Sequence, residues 1–400
     1  MSIDSLPLET LIDIFHECIL NISTREESIS VPVGISAVCL WTYLDYCVDG
    51  RPQKWIVEIF DAWLHRSNGA PLNFSFKCHF EDNRSPEDNR AVGCVVSLLL
   101  SHQWHWGKLD FDWKFWTSHD FPGIELTNML MLTSLRLHTL LEEHYETGSI
   151  DLTQSLKLGH LRLEISKISQ GGPEFGGIPG CWWKSDDGYC PDVIMHNLWF
   201  LSLHGFDGRL VIDELLLPAL GGLRYQDNGL GNGAGSLLKF VQRSLPPLKH
   251  LQMGGNCADG ATLIRILPLL PLLQVLELYL CDISAQLFEL LSIPNGVGAG
   301  PYACDTSNPI VCPDLRFFRF LQCTVVGDSH DCANALCTML ESRRNTLKLW
   351  KSMVGIDGPQ YPDFAINRDT VERQLKDIKG SDFIIKCIGD AYHDLSVLET

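Results

Sequence analysis

The stretch Leu132-Thr133-Ser134-Leu135-Arg136-Leu137 returns 26 residues later as Leu158-Gly159-His160-Leu161-Arg162-Leu163. Both stretches follow one frame, in which apolar residues stand at the first, fourth and sixth positions. Successive side chains of a strand point to opposite faces, so the fourth and sixth positions share a face and the fifth lies on the other. The frame therefore predicts a short strand with one buried and one exposed face.

The same frame occurs eight times between residues 106 and 320. Its central apolar residues are Leu109, Leu135, Leu161, Leu201, Leu223, Leu251, Leu276 and Phe318. Five of the seven steps between them measure 22 to 28 residues, within the period of about 20–29 residues that is typical of leucine-rich repeats. Helical patterns fill several gaps, at 236–243, 262–267, 285–291 and 332–343. The repetition predicts a curved α/β solenoid in which neighbouring units bury each other's apolar faces.

The two long steps contain insertions rich in glycine and proline, at 171–191 and 294–313. Such composition favours loops, and the loops of a solenoid project from one face and often bind partners. Trp182 and Trp183 lie in the first insertion and are candidate target-binding residues, because exposed aromatic side chains favour interfaces. The alternative is that this pair folds back over the nearest core.

The fifth position of each frame is expected to point away from the core. In chain order these residues are Asp110, Arg136, Arg162, Ser202, Arg224, Gln252, Glu277 and Arg319. The four arginines are the candidate target-binding residues of the sheet, since a guanidinium can bind carboxylate or phosphate bidentately. They indicate an acidic or phosphorylated target, with ordinary solvated strand residues as the alternative.

Composition restricts the functional classes. A net charge of −18 argues against nucleic acids and anionic membranes as partners, because both require a basic field. No apolar run reaches about eighteen residues, the length that would suggest a membrane-spanning helix. The fifteen cysteines follow no framework spacing and are expected to be reduced thiols of a cytoplasmic and/or nuclear protein.

The sequence contains no recognised catalytic or cofactor-binding motif. The glycines at 229–235 lack the lysine and serine or threonine of a phosphate-binding loop. His102 and His105 have no third ligand at zinc-site spacing. We therefore expect no enzymatic activity, no metal and no cofactor.

The N-terminal residues form a separate amphipathic pattern. Pro7 suits the first turn of a helix, and Leu8, Leu11, Ile14 and Phe15 then recur at the spacing of one apolar helix face. So short a helix cannot bury that face alone, and it must pack on a partner or on the rest of the chain.

Several landmarks resemble those of the fungal, mushroom-type F-box/leucine-rich-repeat-like proteins. In chain order they are Leu6-Pro7-Leu8-Glu9-Thr10-Leu11-Ile12-Asp13-Ile14-Phe15, Val38-Cys39, Trp63-Leu64-His65-Arg66-Ser67 and His102-Gln103-Trp104. Trp41 stands two residues after Cys39 instead of the family's three, so the third F-box helix would be rebuilt around Trp41–Tyr46.

The resemblance implies a domain order and a function. An all-α F-box-like module would occupy residues 1–50, linker helices and an N-terminal cap strand 51–105, the repeat array 106–345, and a C-terminal cap 346–400. The chain would be a non-catalytic substrate-receptor subunit of a cullin–RING ubiquitin ligase, binding a Skp-type adaptor. By the resemblance, the adaptor-binding residues would be Leu6, Pro7, Leu11, Ile14, Phe15, Val38, Cys39 and Trp41. The alternative is a stand-alone repeat scaffold with a decayed F-box.

Overall fold

The structure is a computed structural model that describes part of the chain. The described residues are 43–48, 56–67, 69–78, 86–113, 126–141, 152, 154–167, 193–204, 212–213, 215–227, 233–255, 259–293, 310–321, 323–346, 351–354 and 383–384. The chain divides into two compact units, Met1–Leu198 and Trp199–Thr400.

The first unit contains six strands and two α-helices among its described residues. The strands are β1 (Tyr43–Val48), β2 (Leu72–Cys78), β3 (Trp106–Trp113), β4 (Ser134–Leu141), β5 (His160–Lys167) and β6 (Val193–Ile194). The helices are α1 (Ile56–Arg66) and α2 (Pro86–Ser101), and a 3-10 turn, Gln103–His105, leads into β3. Strands β1 to β5 pair in chain order, and every pair is parallel.

The register of these strands aligns the frames predicted from the sequence. Leu109 pairs with Leu135, which pairs with Leu161, and all three are almost completely buried. This alignment repeats the apolar positions on every strand, so one face of the sheet is a continuous layer of apolar side chains.

Helices α1 and α2 contribute the other side of that core. Phe60 and Trp63 of α1 make edge contacts with Phe76 and Phe74 of β2, at ring-centroid distances of 6.5 and 6.4 Å. Phe74 also contacts Trp106 at 5.1 Å. Val96, Leu99 and Leu100 of α2 face Leu109, Phe111 and Leu137 across a narrow apolar cavity. The helices thus lie on the apolar face, and the charged residues of the strands are on the other face.

The second unit contains ten strands and four α-helices among its described residues. The strands are β7 (Phe200–His204), β8 (Leu215–Leu216), β9 (Gly222–Asp227), β10 (His250–Gly255), β11 (Val275–Tyr279), β12 (Asp282–Ile283), β13 (Phe317–Leu321), β14 (Thr324–Val325), β15 (Lys351–Val354) and β16 (Phe383–Ile384). The helices are α3 (Gly233–Ser244), α4 (Gly260–Ile266), α5 (Ala285–Leu291) and α6 (Ser329–Thr346), and a 3-10 turn spans Leu267–Leu269. Strands β7, β9, β10, β11, β13, β15 and β16 pair in that order, all parallel.

Equivalent turns lead into the strands of the second unit. The N–H groups of Lys249 and His250 both donate to the carbonyl of Gly221, at 2.8 and 3.0 Å. Gln274 and Val275 donate in the same way to Lys249. The carbonyl of Gln274 then accepts from the two residues 316 and 317. Each strand is therefore aligned by a pair of hydrogen bonds to the strand before it.

Two arginines near helix C-termini hold the loops that precede the strands. Arg343 of α6 is fully buried and donates to the carbonyls of Leu291, Val311 and Cys312 at 2.6 to 2.8 Å. Arg243 of α3 donates to carbonyls at 212, 213 and 215, at 2.6 to 3.0 Å. Both arginines reach a carbonyl 31 residues earlier, so the same contact recurs in two parts of the unit.

The strand and helix predictions are confirmed at the level of single elements. In all eight frames the fourth to sixth positions lie on a strand, and the predicted helical runs match α3, α4, α5 and α6. A strand was expected within residues 51–105, and β2 lies there. Helices were also expected within residues 51–105, and α1 and α2 lie there.

The predicted fold class is wrong. A curved leucine-rich-repeat solenoid preceded by a small all-α module was expected, and the structure has α/β units with all-parallel sheets and only six described α-helices. Residues 43–48, within the expected all-α module, form the parallel edge strand β1. The physical reason is the pairing of this segment with β2, because its Tyr and Val side chains fit the pleated surface that the neighbouring strand completes. The predicted domain boundaries stay predictions, and most of the expected C-terminal cap at 346–400 lies outside the described residues.

Candidate target-binding surface

The polar face of the first unit carries charged or titratable residues on three adjacent strands, and six of them lie in two neighbouring rows. We call Asp110, Asp112, Arg136, His138, Arg162 and Glu164 the first charge cluster. The register places Asp110, Arg136 and Arg162 in one row, and Asp112, His138 and Glu164 in the next. Because the two rows are two residues apart along each strand, all six side chains leave the same face of the sheet.

Arg162 and Arg136 differ in how well they are paired. Arg162 donates through Nε to Glu164 Oε1 and also forms an ion pair with it. Arg136 lies 3.7 Å from Asp110 and 3.9 Å from Glu164, which is beyond hydrogen-bond length for N–H···O. Its side chain is 40 % exposed, and its buried Nε has no hydrogen-bond partner among the described residues. Arg136 is therefore the more available cation of the two.

The two carboxyl groups beside Arg136 are shifted in opposite directions. Burial raises the pKa of Glu164, but Arg162 and then Arg136 outweigh it, and the pKa lies below its ordinary value. Burial also raises the pKa of Asp110, and here the nearby cations do not compensate. The charge of Glu164 is thus well stabilised by the fold, whereas the charge of Asp110 is not.

His138 lies between the two carboxylates of its row. Its Nδ1 is 3.2 Å from Asp112 Oδ1 and 4.0 Å from Glu164 Oε2. Together with the arginine contacts, these distances make the first charge cluster an alternating set in which most charges have a partner within the cluster. Such a surface offers a target both signs of charge.

The second unit has a smaller and more buried charge cluster on its sheet. We call His250, Glu277 and Arg319 the second charge cluster. Glu277 Oε1 lies 3.3 Å from His250 Nε2, and Glu277 Oε2 lies 3.6 Å from Arg319 Nη1. Glu277 is only 5 % exposed, so this carboxylate serves mainly to hold its two neighbours and has little surface for a ligand.

The predicted target-binding arginines fall into different environments. Arg136 is half-exposed, whereas Arg162 and Arg319 are mostly covered and face a carboxylate. Arg224 aligns with Gln252 in the register of β9 and β10. The two predicted sheet residues Ser202 and Glu277 are buried, contrary to the expectation that the fifth frame position is exposed. Glu277 is covered in part by His250 and Arg319, which lie 3.3 and 3.6 Å from its carboxylate oxygens.

Several predicted site residues lie outside the described residues. Trp182 and Trp183 are among them, as is the whole adaptor-binding set Leu6, Pro7, Leu11, Ile14, Phe15, Val38, Cys39 and Trp41. Sequence reasoning also missed four residues that the structure brings into the two clusters: Asp112, His138, Glu164 and His250. The first three stand two residues after a predicted row residue, so continuing the strand alternation one step further would have found them.

The histidines before β3 do not form a metal site with their described neighbours. His105 is buried, and burial together with His102 lowers its pKa to about 4. Among the described residues, no group of three or more His, Cys, Asp or Glu side chains is arranged to hold a metal ion. No helix in the described part of the chain is long and apolar enough to cross a membrane.

Comparison with known proteins does not assign this chain to a family. Neither the models of protein families nor the curated proteins contain a match to this chain. The functional argument therefore rests on the residues and the geometry described above.

Proposed function

We propose that this chain is a non-catalytic receptor for other proteins, and that the polar face of the sheet in its first unit binds the target. The observation that carries the proposal is the asymmetry of this sheet. Its apolar face is covered by α1 and α2, whereas the other face presents the first charge cluster with Arg136 40 % exposed. A polar, partly exposed surface on a rigid sheet supports protein binding by charged and hydrogen-bonding contacts.

The fuller form of the proposal is a substrate-receptor subunit of a cullin–RING ubiquitin ligase. It is supported by the resemblance of residues 6–15 to the first F-box helix. In this form the N-terminal helix binds the Skp-type adaptor, and partner enzymes transfer ubiquitin. The chain then contributes proximity to the reaction and no catalytic group.

A second candidate is a stand-alone protein-binding scaffold that has lost adaptor binding. The observation that favours it is β1, a strand at Tyr43–Val48 close to where the family has its third F-box helix. A module that lacks this helix would offer the adaptor a reduced surface.

Co-purification with the Skp-type adaptor separates the two candidates. Ile14→Asp or Phe15→Asp should abolish the adaptor signal, because an unpaired charge buried at an interface costs several kcal/mol. The matched control is Asp61→Asn on α1, an exposed position that should leave the signal unchanged. Wild-type protein that binds no adaptor at micromolar concentration would leave the scaffold as the function.

A charge-neutral double variant tests the target surface itself. Asp110→Ala with Arg136→Ala removes one charge of each sign from the first charge cluster and keeps the net charge at −18. The control, Asp314→Ala with Arg316→Ala, does the same at two exposed positions of the second unit. Affinity purification with quantitative mass spectrometry should recover less of the target proteins with the first variant than with the wild type. The control variant should recover them as the wild type does. Equal recovery from both variants would exclude this face as the target-binding surface.

A further inference from the structure

The turns that lead into β3, β4 and β5 are built alike. In each turn a backbone N–H donates to the carbonyl three residues earlier, and the donor and acceptor pairs are Trp106 and Gln103, Leu132 and Met129, and Leu158 and Ser155. The residue that follows the accepting carbonyl is Trp104, Leu130 or Leu156. These three residues therefore hold the same position in three successive turns, and we call them the apolar row.

Hydrogen bonds hold the three turns side by side at one edge of the sheet. The backbone N–H of Thr133 donates to the carbonyl of Gly107 at 2.7 Å, and that of Gly159 donates to the carbonyl of Thr133 at 3.0 Å. The side-chain oxygen of Gln103 accepts from the N–H of Thr127 at 2.8 Å, which connects the first turn to the second. Because neighbouring strands lie about 4.8 Å apart, the apolar row extends over about 10 Å.

The apolar row is exposed to solvent. Trp104 is 43 % exposed, Leu130 48 % and Leu156 74 %. Single exposed leucines are common on protein surfaces, whereas adjacent large apolar side chains form a patch of the kind that marks interaction sites. The second unit has the same turn with proline at this position, at Pro218, Pro271 and Pro313. The turn itself therefore does not require a bulky apolar residue.

The charge around the apolar row is slightly positive. The residues of the three turns, at 102–107, 126–133 and 154–159, include no aspartate or glutamate and one lysine, Lys157. Lys157 is exposed and directly follows Leu156. The row therefore favours an occupant that combines an apolar face with acidic residues beside it, since complementary charges favour an interface.

The N-terminal segment of the chain has these properties. Its apolar positions recur at helical spacing from Leu8 to Phe15, and at a rise of 1.5 Å per residue they cover about 10.5 Å, the length of the apolar row. Glu9 and Asp13 lie among these positions and are acidic. They complement Lys157, whereas a basic segment would be repelled by it.

The strand order brings the N-terminal segment to the same edge of the sheet. Strands β1 to β5 are parallel, so β1 begins at the edge where the turns before β3, β4 and β5 lie. The chain enters β1 at Tyr43, and β5 is four strand spacings away, about 19 Å. Residues 16–42 connect the segment to β1, and at about 3.3 Å per residue they can span this distance several times.

We propose that residues 6–15 dock as an amphipathic helix on the apolar row, with the face that carries Leu8, Leu11 and Phe15 against the three exposed side chains. Docking supplies the contact that this apolar face needs, because so short a helix is not stable alone. The contact lies within one chain and does not require the adaptor. The inference therefore goes beyond the proposed function and is tested without it.

Photo-crosslinking of the purified full-length protein tests the docking. Benzoylphenylalanine in place of Leu156 should form a covalent link to residues 1–25, which trypsin releases as one peptide that mass spectrometry identifies. The matched control places the same group at Leu272, a 44 % exposed leucine of the second unit, and should give no link to that peptide.

A charge on the apolar face of the segment tests whether that face makes the contact. Leu11→Asp should lower the yield of the link from position 156 by about tenfold or more, because docking would bury an unpaired charge. Thr10→Asp adds the same charge away from the apolar positions and should leave the yield nearly unchanged. Circular dichroism confirms that each variant is folded.

Several results would overturn the proposal. Links from position 156 that join two molecules, detected by mixing isotopically labelled with unlabelled protein, would assign the apolar row to a second copy of the chain. Links only to other segments, no link at all, or equal yields from positions 156 and 272 would exclude the N-terminal segment as the occupant. Equal losses in Leu11→Asp and Thr10→Asp would show that the apolar face does not make the contact.

Discussion

At the scale of single residues, the first charge cluster combines groups that stabilise the fold with groups that remain available. Glu164 is held by Arg162 and has a lowered pKa, whereas the half-buried Asp110 has a raised pKa and lies 3.7 Å from Arg136. The two carboxylates stand on the same face of the sheet but have opposite effects on stability. This difference separates the structural residues of the cluster from the candidate binding residues.

Replacing each carboxylate by its amide should reveal the difference. Glu164→Gln should lower the free energy of unfolding at pH 7 by about 1–3 kcal/mol, because it leaves a guanidinium without its charged partner. Asp110→Asn should change it by less than about 0.5 kcal/mol or raise it. Urea unfolding at pH 7 measures both values.

The effects of the two substitutions on the free energy of unfolding should also change with pH in opposite directions. A lowered folded-state pKa contributes stability above the ordinary carboxylate value of about 4.3, and this contribution is lost as the pH falls through the lowered value. The loss of unfolding free energy caused by Glu164→Gln should therefore become smaller below about pH 4.3. The raised pKa of Asp110 makes its charge costly at neutral pH, and that cost is relieved on acidification. An equal loss of unfolding free energy in Asp110→Asn and Glu164→Gln at pH 7 would contradict this account.

The cysteines offer a second prediction at this scale. Burial raises the pKa of the Cys312 thiol to about 12 and that of Cys332 and Cys337 to about 11, whereas Cys94 is exposed. Since the thiolate is the reactive form, iodoacetamide at pH 8 should label Cys94 in the native protein and the other three only after denaturation. Mass spectrometry of the labelled peptides shows which cysteines react in the native protein and which react only after denaturation. Disulfides among these four residues would contradict both the structure and the expectation of a reduced protein.

At the scale of elements, the sequence frames predicted the strands because each frame carries its own burial pattern. The alternation around Leu135 or Leu276 needs no information from distant residues to indicate a strand. Tyr43–Val48 lacked such a frame, and the resemblance to a helical module favoured a helix there. Its strand conformation depends on pairing with β2, which a local pattern does not show.

The candidate site was predictable only in part for the same reason. Strand alternation placed Arg136 and Arg162 on the polar face, and the structure agrees. It did not reveal that Glu164 pairs with Arg162 or that Ser202 and Glu277 are covered, because those facts depend on which side chains neighbouring strands bring together.

The buried arginine of α6 supports a prediction at this scale. Arg343→Ala should destabilise the protein by about 3 kcal/mol or more, because three carbonyls lose their donor and each buried unpaired group costs about 1–3 kcal/mol. The control is Arg243→Ala, which removes the same kind of contact at an exposed side chain and should cost about 1 kcal/mol. Urea unfolding of both variants measures the difference. Equal losses would show that burial of Arg343 contributes nothing beyond its hydrogen bonds.

At the scale of the whole molecule, the described parts of both units share one construction and differ in their polar faces. In each unit, parallel strands follow in chain order and bury aligned apolar residues. The first unit has a wide and partly exposed charge cluster, and the second has a smaller one around the buried Glu277. The first unit is therefore the better candidate for target binding.

Site-specific photo-crosslinking tests this central claim most directly. A photoreactive benzoylphenylalanine is placed at position 136 on the polar face or, as the matched control, at position 61 on α1, and cells that express each variant are irradiated. The account predicts covalent target adducts from position 136 and none from position 61, since α1 lies on the opposite face of the same sheet. Adducts from position 61 with none from position 136 would contradict it.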